Sequence, residues 1–378
     1  MLIQNGIVYD GSFHPQRADV LLRGDRIAQI GGDLPQTDDV LDCTGCTVVP
    51  GFVDIHIHGG GGGDMADADP QSLQKMSRYL ARCGVTSFCP ASMTLPREAL
   101  ETQFAAVEAF KGSEEGARIL GVRMEGPYIS MEKKGAQCGD WIRPADIEEF
   151  RALHAISRVC AVDVAPETEG ACAFAEVVSA CCTVSAGHTA ATFEQMQQGL
   201  LHGFSHGTHL FNAMPPIRNR DPGAVTALLC SDTATAELIC DGFHNHPAVV
   251  RMAFRLLGSD RAVVISDSMR AAGCADGDYV LGGQRVFVRN GKARLSDGTI
   301  AASTTNLHEE FCNLLAWGIP FADALRACTI NPARVAGADA HIGSIEPGKA
   351  ADLLVLDAQN RIRYTIAHGT MMQTVSTD

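Results

Sequence analysis

Six residues carry the side chains from which a metal site is built. They are the His-x-His pair His56 and His58, Glu125 in Met124-Glu125-Gly126-Pro127, His188 in Ala186-Gly187-His188, His209 in Thr208-His209-Leu210, and Asp267 in Ile265-Ser266-Asp267. Imidazoles and carboxylates together suit Zn²⁺ or another borderline divalent ion. Side chains alternate along a strand, so His56 and His58 share one face. Burying two unpartnered imidazoles would cost free energy, which argues for a ligand arm. Taken singly, His188 or His209 reads as a core histidine, Glu125 as a turn residue and Asp267 as a helix cap. Their common position at the ends of apolar stretches makes the metal reading the simpler one. No lysine lies between Lys134 and Lys292, so a carboxylated lysine on a fourth strand cannot bridge two metals; Glu125 is the carboxylate left for that task.

Such a site needs a scaffold that brings strand ends together. Strand-like runs fall at 54–58, 85–89, 119–125, 162–166, 183–188, 207–210, 237–241 and 262–267. Helix patterns lie between most of them. Asp69-Pro70 reads as an N-cap with proline at the first helical position, and Leu73, Met76, Leu80 and Cys83 follow at helical spacing before Gly84. Alternation of this kind predicts an α/β fold, a (β/α)8 TIM-type barrel whose chemistry sits at the C-terminal ends of its strands. Residues 1–49 and 343–378 instead read as short strands with Gly, Asp and Pro turns. The expected organisation is therefore a barrel at 50–342 and a small β-sandwich domain made by both chain termini. Residues 279–295, with Gly282-Gly283 and Asn290-Gly291 turns, read as a hairpin insertion after the eighth strand. Gly59–Gly63 reads as a barrel loop rather than a phosphate cradle, because no Lys-Ser/Thr opens a helix after it.

The 378 residues include 46% hydrophobic and 20% charged side chains, a balance suited to a large buried core. A formal net charge of −14 disfavours nucleic acid and anionic membranes as partners. No apolar run reaches the roughly 18 residues of a membrane helix. The first residues lack the features of a signal peptide, and the 14 cysteines are scattered without a repeated spacing. Reduced cysteines in a cytoplasmic protein are the expectation, with Cys43-Thr44-Gly45-Cys46 structural.

The stretch Pro50-Gly51-Phe52-Val53-Asp54-Ile55-His56-Ile57-His58-Gly59 resembles the opening of amidohydrolase-superfamily barrels. Met124–Tyr128, Ser185–Thr189, Thr208–Met214 and Asp241–His244 resemble one branch, the N-acetylglucosamine-6-phosphate deacetylases. The likeness runs almost end to end. It implies a metal-dependent enzyme that hydrolyses the acetamide of N-acetyl-D-glucosamine 6-phosphate to D-glucosamine 6-phosphate and acetate. Glu125, His188 and His209 match the metal ligands and Asp267 the catalytic acid/base. Asn212, Ala213, Arg220, His244 and, beside Thr305 and Asn306, Leu307 match substrate contacts; Arg220 is the phosphate-binding arginine and could reach the neighbouring site of a homodimer. Gln137 stands where some members carry histidine, and it can still hydrogen-bond the amide oxygen. The metal is expected to be Zn²⁺, with Fe or another divalent ion as alternatives. Two ions would share Glu125, one on His56, His58 and Asp267 and the other on His188 and His209; the rival is one ion at Glu125, His188 and His209. N-acetylgalactosamine 6-phosphate, a cyclic amide or an N-acyl substrate, and a catalytically silent scaffold are the competing readings.

Overall fold

The structure is a computed structural model and describes residues 1–372. Its middle section alternates parallel strands with helices. The strands are β1 (Phe52–Ile57), β2 (Val85–Pro90), β3 (Val122–Tyr128), β4 (Val159–Val164), β5 (Thr183–Ala186), β6 (Phe204–Gly207), β7 (Thr235–Leu238) and β8 (Ala262–Val264). β1 pairs with β2, and β3 to β8 pair in chain order. Outside these ladders Ala91 bridges Arg123, between the end of β2 and β3. Past β8, the Asp267 N–H donates to the His56 carbonyl at 3.0 Å, and the His58 N–H donates to the Ser268 carbonyl at 2.9 Å.

Every residue of β1, β2, β3 and β4 is buried. Parallel strands covered on both faces are largely apolar for that reason. The charged residues within them, Asp54, Arg123, Glu125 and Asp163, must therefore find partners inside. Helix Pro70–Arg82 begins as its sequence predicts: the Asp69 side chain accepts from the Gln71 and Ser72 N–H groups, and Pro70 fills the first turn. Leu73, Met76 and Leu80 form its buried stripe.

The glycine run after β1 makes a tight hairpin, Gly59–Gly60 against Gly63–Asp64. Gly61 and Gly62 turn it with φ of 60° and 84°. A Cβ at Gly60 would sit 2.6 Å from the Tyr79 ring, so the run serves close packing. The insertion after β8 is larger than a hairpin. Gly277–Leu281, Gln284–Arg289, Lys292–Arg294 and Ile300–Ala302 form a four-stranded sheet with a core of its own that includes Met269, Leu281, Val286 and Val288. The fourth strand, Ile300–Ala302, lies outside the expected 279–295 because the Asp297-Gly298 turn interrupts the alternation before it.

Both ends of the chain share one six-stranded sheet, in which Leu353–Leu356 lies antiparallel to Thr47–Pro50. Leu353 and Val355 pack with Ile3, Val8, Val20 and Val48, whereas Leu354 and Leu356 pack into the main core. One apolar strand is thus the seam between two cores, and its four consecutive apolar residues follow from that. The Cys43 and Cys46 side chains lie in the smaller core, and all fourteen cysteines are free.

Candidate metal centre and substrate cavity

The ladders of β5, β6 and β8 stop short of the residues that matter. His188, His209 and Asp267 lie two or three residues beyond them, at φ of 46°, 27° and 47°. The left-handed region costs a non-glycine residue of order 1–3 kcal/mol. Here it turns each side chain out of the strand alternation and towards the centre. The expected strands at 183–188, 207–210 and 262–267 reach the ligands, whereas pairing ends at Ala186, Gly207 and Val264.

The turned-in side chains meet those of β1 and β3. Glu125 Oε1 lies 3.1 Å from His188 Nε2, 3.3 Å from His209 Nε2 and 3.4 Å from His56 Nε2. Its other oxygen is 3.4 Å from His58 Nε2. Asp267 Oδ1 stands 3.3 Å from His58 Nε2 and 3.9 Å from His56 Nε2. Two sets of potential ligand atoms result, His56/His58/Asp267 and Glu125/His188/His209, each with all its atoms within 4.8 Å of one another. A third set joins His56 and Glu125 to Asp163. Asp163 is already committed to Arg123 and to the Thr208 hydroxyl, both at 2.7 Å.

The donor pattern fits a divalent ion. His56 Nδ1 faces Glu237 Oε2 at 3.1 Å, His58 Nδ1 faces the Ala91 carbonyl at 3.2 Å, and His188 Nδ1 faces the Lys133 carbonyl at 2.9 Å. Those partners only accept, so each Nδ1 donates and each neutral ring presents its Nε2 lone pair to the centre. His56 Nε2 is buried and makes no hydrogen bond. The charges agree. Burial alone would raise the Glu125 carboxyl, but His56 and the hydrogen bonds of His188 and His209 hold it well below its usual range. Burial pushes the His58 ring down, yet Asp267 and Glu125 push it up to about 10. The centre attracts positive charge, which protons supply when no metal does.

Above these atoms is a cavity of about 270 Å³ lined by, among others, His58, Met93, Glu125, Gln137, His188, His209, Asn212, Ala213, His244 and Asp267. It approaches the lower end of the range for small-molecule sites, about 300 Å³. The Gln137 amide N–H₂ donates to Glu125 Oε2, and its oxygen accepts from the Thr94 N–H at 2.7 Å. Gln137 is therefore engaged with the carboxylate as well as lining the cavity. Asn212 turns its amide to the His209 and Leu210 carbonyls, at 3.2 and 3.3 Å. His244 Nδ1 is held by Asp241 at 2.7 Å. Two residues stand apart from the cavity. Leu307 is fully buried in the main core at the start of its helix, and Thr299, Ile300 and Ala301 line the wall instead. Arg220 is exposed, in the loop that follows Asn212 and Ala213.

Beneath the centre lies a network that sequence reading missed. Arg123, Asp163, His206, Thr208 and Glu237 are all fully buried, joined through the ion pairs of Arg123 with Asp163 and Glu237. The available signal was a charged residue inside each of the apolar strands Val122–Tyr128, Val159–Val164 and Thr235–Leu238.

The amidohydrolase family pattern matches residues 47–374. The chain is 35% identical over 350 residues to the N-acetylglucosamine-6-phosphate deacetylase of Bacillus subtilis, covering 89% of this chain and 87% of that one. It is also 35% identical over 327 residues to the N-acetylgalactosamine-6-phosphate deacetylase of Escherichia coli O157:H7, covering 85% and 86%. Among solved structures, N-acetylglucosamine-6-phosphate deacetylase from Pasteurella multocida superposes with a TM-score of 0.92 at 30% identity, over 98% of both chains. A D267A mutant of the Mycobacterium smegmatis enzyme, in complex with N-acetyl-D-glucosamine 6-phosphate, superposes with a TM-score of 0.91 at 33% identity, over 99% of both. These likenesses imply a TIM-type barrel with a second domain. The chain belongs to the amidohydrolase family and, within it, to the N-acetylglucosamine-6-phosphate deacetylases.

Proposed function

We propose that the protein hydrolyses the acetamide of N-acetyl-D-glucosamine 6-phosphate, releasing acetate and D-glucosamine 6-phosphate. The observation that carries this reading is the meeting of Glu125, His188 and His209 with Asp267 at the floor of one cavity whose wall includes Asn212, Ala213 and His244. Glu125, His188 and His209 would hold one divalent ion, and His56, His58 and Asp267 a second, with Glu125 shared. Zn²⁺ suits these nitrogen and oxygen donors. Such an ion supplies Lewis-acid polarisation and a water acidified towards neutrality.

The residues do the rest. Burial would raise the Asp267 carboxyl, but the His58 hydrogen bond and the charges of His56 and His58 together outweigh it and keep the group below its usual value, ionised and ready to accept a proton. Asp267 takes a proton from the attacking water and returns one to the leaving nitrogen, which would otherwise depart as a strongly basic anion. Gln137 and Asn212 line the cavity and would meet the acyl group, and His244, oriented by Asp241, would offer Nε2 to a sugar or phosphate oxygen. Arg220 would read the phosphate of the neighbouring subunit in a homodimer. Its exposure, and that of the apolar Ile217 in the same loop, which lines a groove with the exposed Met252, support that assembly.

Closure of β1 to β8 into a (β/α)8 ring is supported by the Ala91–Arg123 bridge and by the hydrogen bonds between the β1 and β8 ends. A domain division at 1–49, 50–342 and 343–378 is supported by the separate core of the terminal strands, although residues 373–378 lie outside the described residues. The free cysteines support a cytoplasmic protein, and among the described residues no helix is long and apolar enough to cross a membrane. The deciding experiment measures acetate released from N-acetylglucosamine and N-acetylgalactosamine, each with and without the 6-phosphate, before and after chelation. Chelator-sensitive release from the 6-phosphate of N-acetylglucosamine above all others is expected. Preference for the galactosamine epimer would reassign the substrate, and no release from any of the four would overturn the reading.

A further inference from the structure

Glu237, on β7, is fully buried and does not line the cavity. Both of its oxygens are saturated. Oε2 accepts from His56 Nδ1 at 3.1 Å and from the His209 main-chain N–H at 3.1 Å. Oε1 accepts from Arg123 Nη1 and from His206 Nε2, the latter at 3.0 Å. An ionised carboxylate offers about four lone-pair sites, and all four are used. Glu237 therefore has no free position for substrate or metal.

What one oxygen touches is informative. His56 belongs to one set of candidate ligands and His209 to the other. Through the His56 ring, Glu237 fixes the tautomer that turns Nε2 inward. Through the His209 N–H, it restrains a peptide whose φ of 27° is left-handed. Resting on the binuclear reading above, we propose that Glu237 is a positioning residue that locks the two metal-binding sets into one geometry, by holding the His56 ring and the His209 main chain on a single carboxylate oxygen. Arg123, itself held by Asp163 and Thr208, fixes the carboxylate in turn.

The isosteric Glu237→Gln substitution separates this role from simple burial. A glutamine has one acceptor oxygen and one N–H₂, so at least one donor among the four would face another donor. If the amide N–H₂ turns to His56, the ring must either flip or place its proton on Nε2, where the ligand lone pair is needed. Metal content after dialysis against graded free Zn²⁺ should show affinity at the His56/His58/Asp267 set falling by about 10- to 100-fold. The visible absorption of the Co²⁺-loaded protein should change in band position as well as intensity.

His206→Gln is the control. It touches only the other oxygen, so it should alter thermal stability without moving the Co²⁺ bands. Should Glu237→Gln fail to fold, Glu237→Asp keeps the charge beside Arg123 while falling one methylene short, and the same two readouts apply to it. Unchanged Zn²⁺ affinity and an unchanged Co²⁺ spectrum in the folded variant would overturn the proposal. So would equal spectral changes in Glu237→Gln and His206→Gln. Wild-type protein that takes up no divalent ion would overturn instead the metal reading on which it rests.

Discussion

The Nε2 atoms of His188 and His209 lie 3.2 Å apart, with Glu125 Oε1 within 3.3 Å of both. His188 spends its other nitrogen on the Lys133 carbonyl, so its neutral ring aims a lone pair at a carboxylate. That lone pair and the negative oxygen repel one another without a cation between them. A proton or a metal ion relieves that repulsion, and the metal does so while leaving both rings neutral.

Metal count follows from the same geometry. Protein loaded with excess Zn²⁺ should hold about two equivalents by elemental analysis. The His56→Asn/His58→Asn double variant should hold about one, on Glu125, His188 and His209. One equivalent in both proteins would leave His56 and His58 as hydrogen-bonding residues only.

Replacing Asp267 by Asn removes the proton acceptor while keeping its size. The expected loss in kcat is roughly 100- to 10,000-fold, with at least one Zn²⁺ equivalent retained. Near-normal turnover of the variant would take Asp267 out of the proton transfers.

The phosphate reading rests on Arg220, whose planar fork matches phosphate oxygens. Arg220→Ala should raise KM for the phosphorylated sugar far more than for the unphosphorylated one. Mixing Arg220→Ala with Asp267→Asn subunits should generate some sites with both residues intact if the arginine crosses the dimer. Equal KM effects on both sugars would show that Arg220 does not read the phosphate.

His58 gives the metal-free protein a pH signature. Burial lowers its pKa, but Asp267 and Glu125 outweigh that and raise it from 6.5 to about 10. A cation stabilised by the fold contributes fully below the unfolded value and is lost as pH rises through the folded one. Chelated protein should therefore lose Tm between about pH 6.5 and 10, by its raised ring pKa, more than Zn²⁺-loaded protein does. Identical melting curves with and without chelator across that window would contradict the assignment.

Local patterns carried much of this molecule. Period-2 geometry put His56 and His58 on one face, Asp69-Pro70 marked a helix start, and the apolar run before Glu125 placed it on a strand, although β3 continues past it to Tyr128. These depend on neighbours in the chain, which a sequence displays. The tertiary structure alone decided the rest. His188, His209 and Asp267 reach the centre through left-handed turns beyond their strands, which no periodicity records. Leu307 sits in the core rather than on the cavity wall because its helix begins facing inward. Glu237 joins His56 across 181 positions of sequence. Its buried charge is tolerable only because Arg123, His206 and the His209 N–H arrive from other strands to satisfy it. Residue type and strand position are local properties; satisfaction of a buried charge belongs to the packed fold.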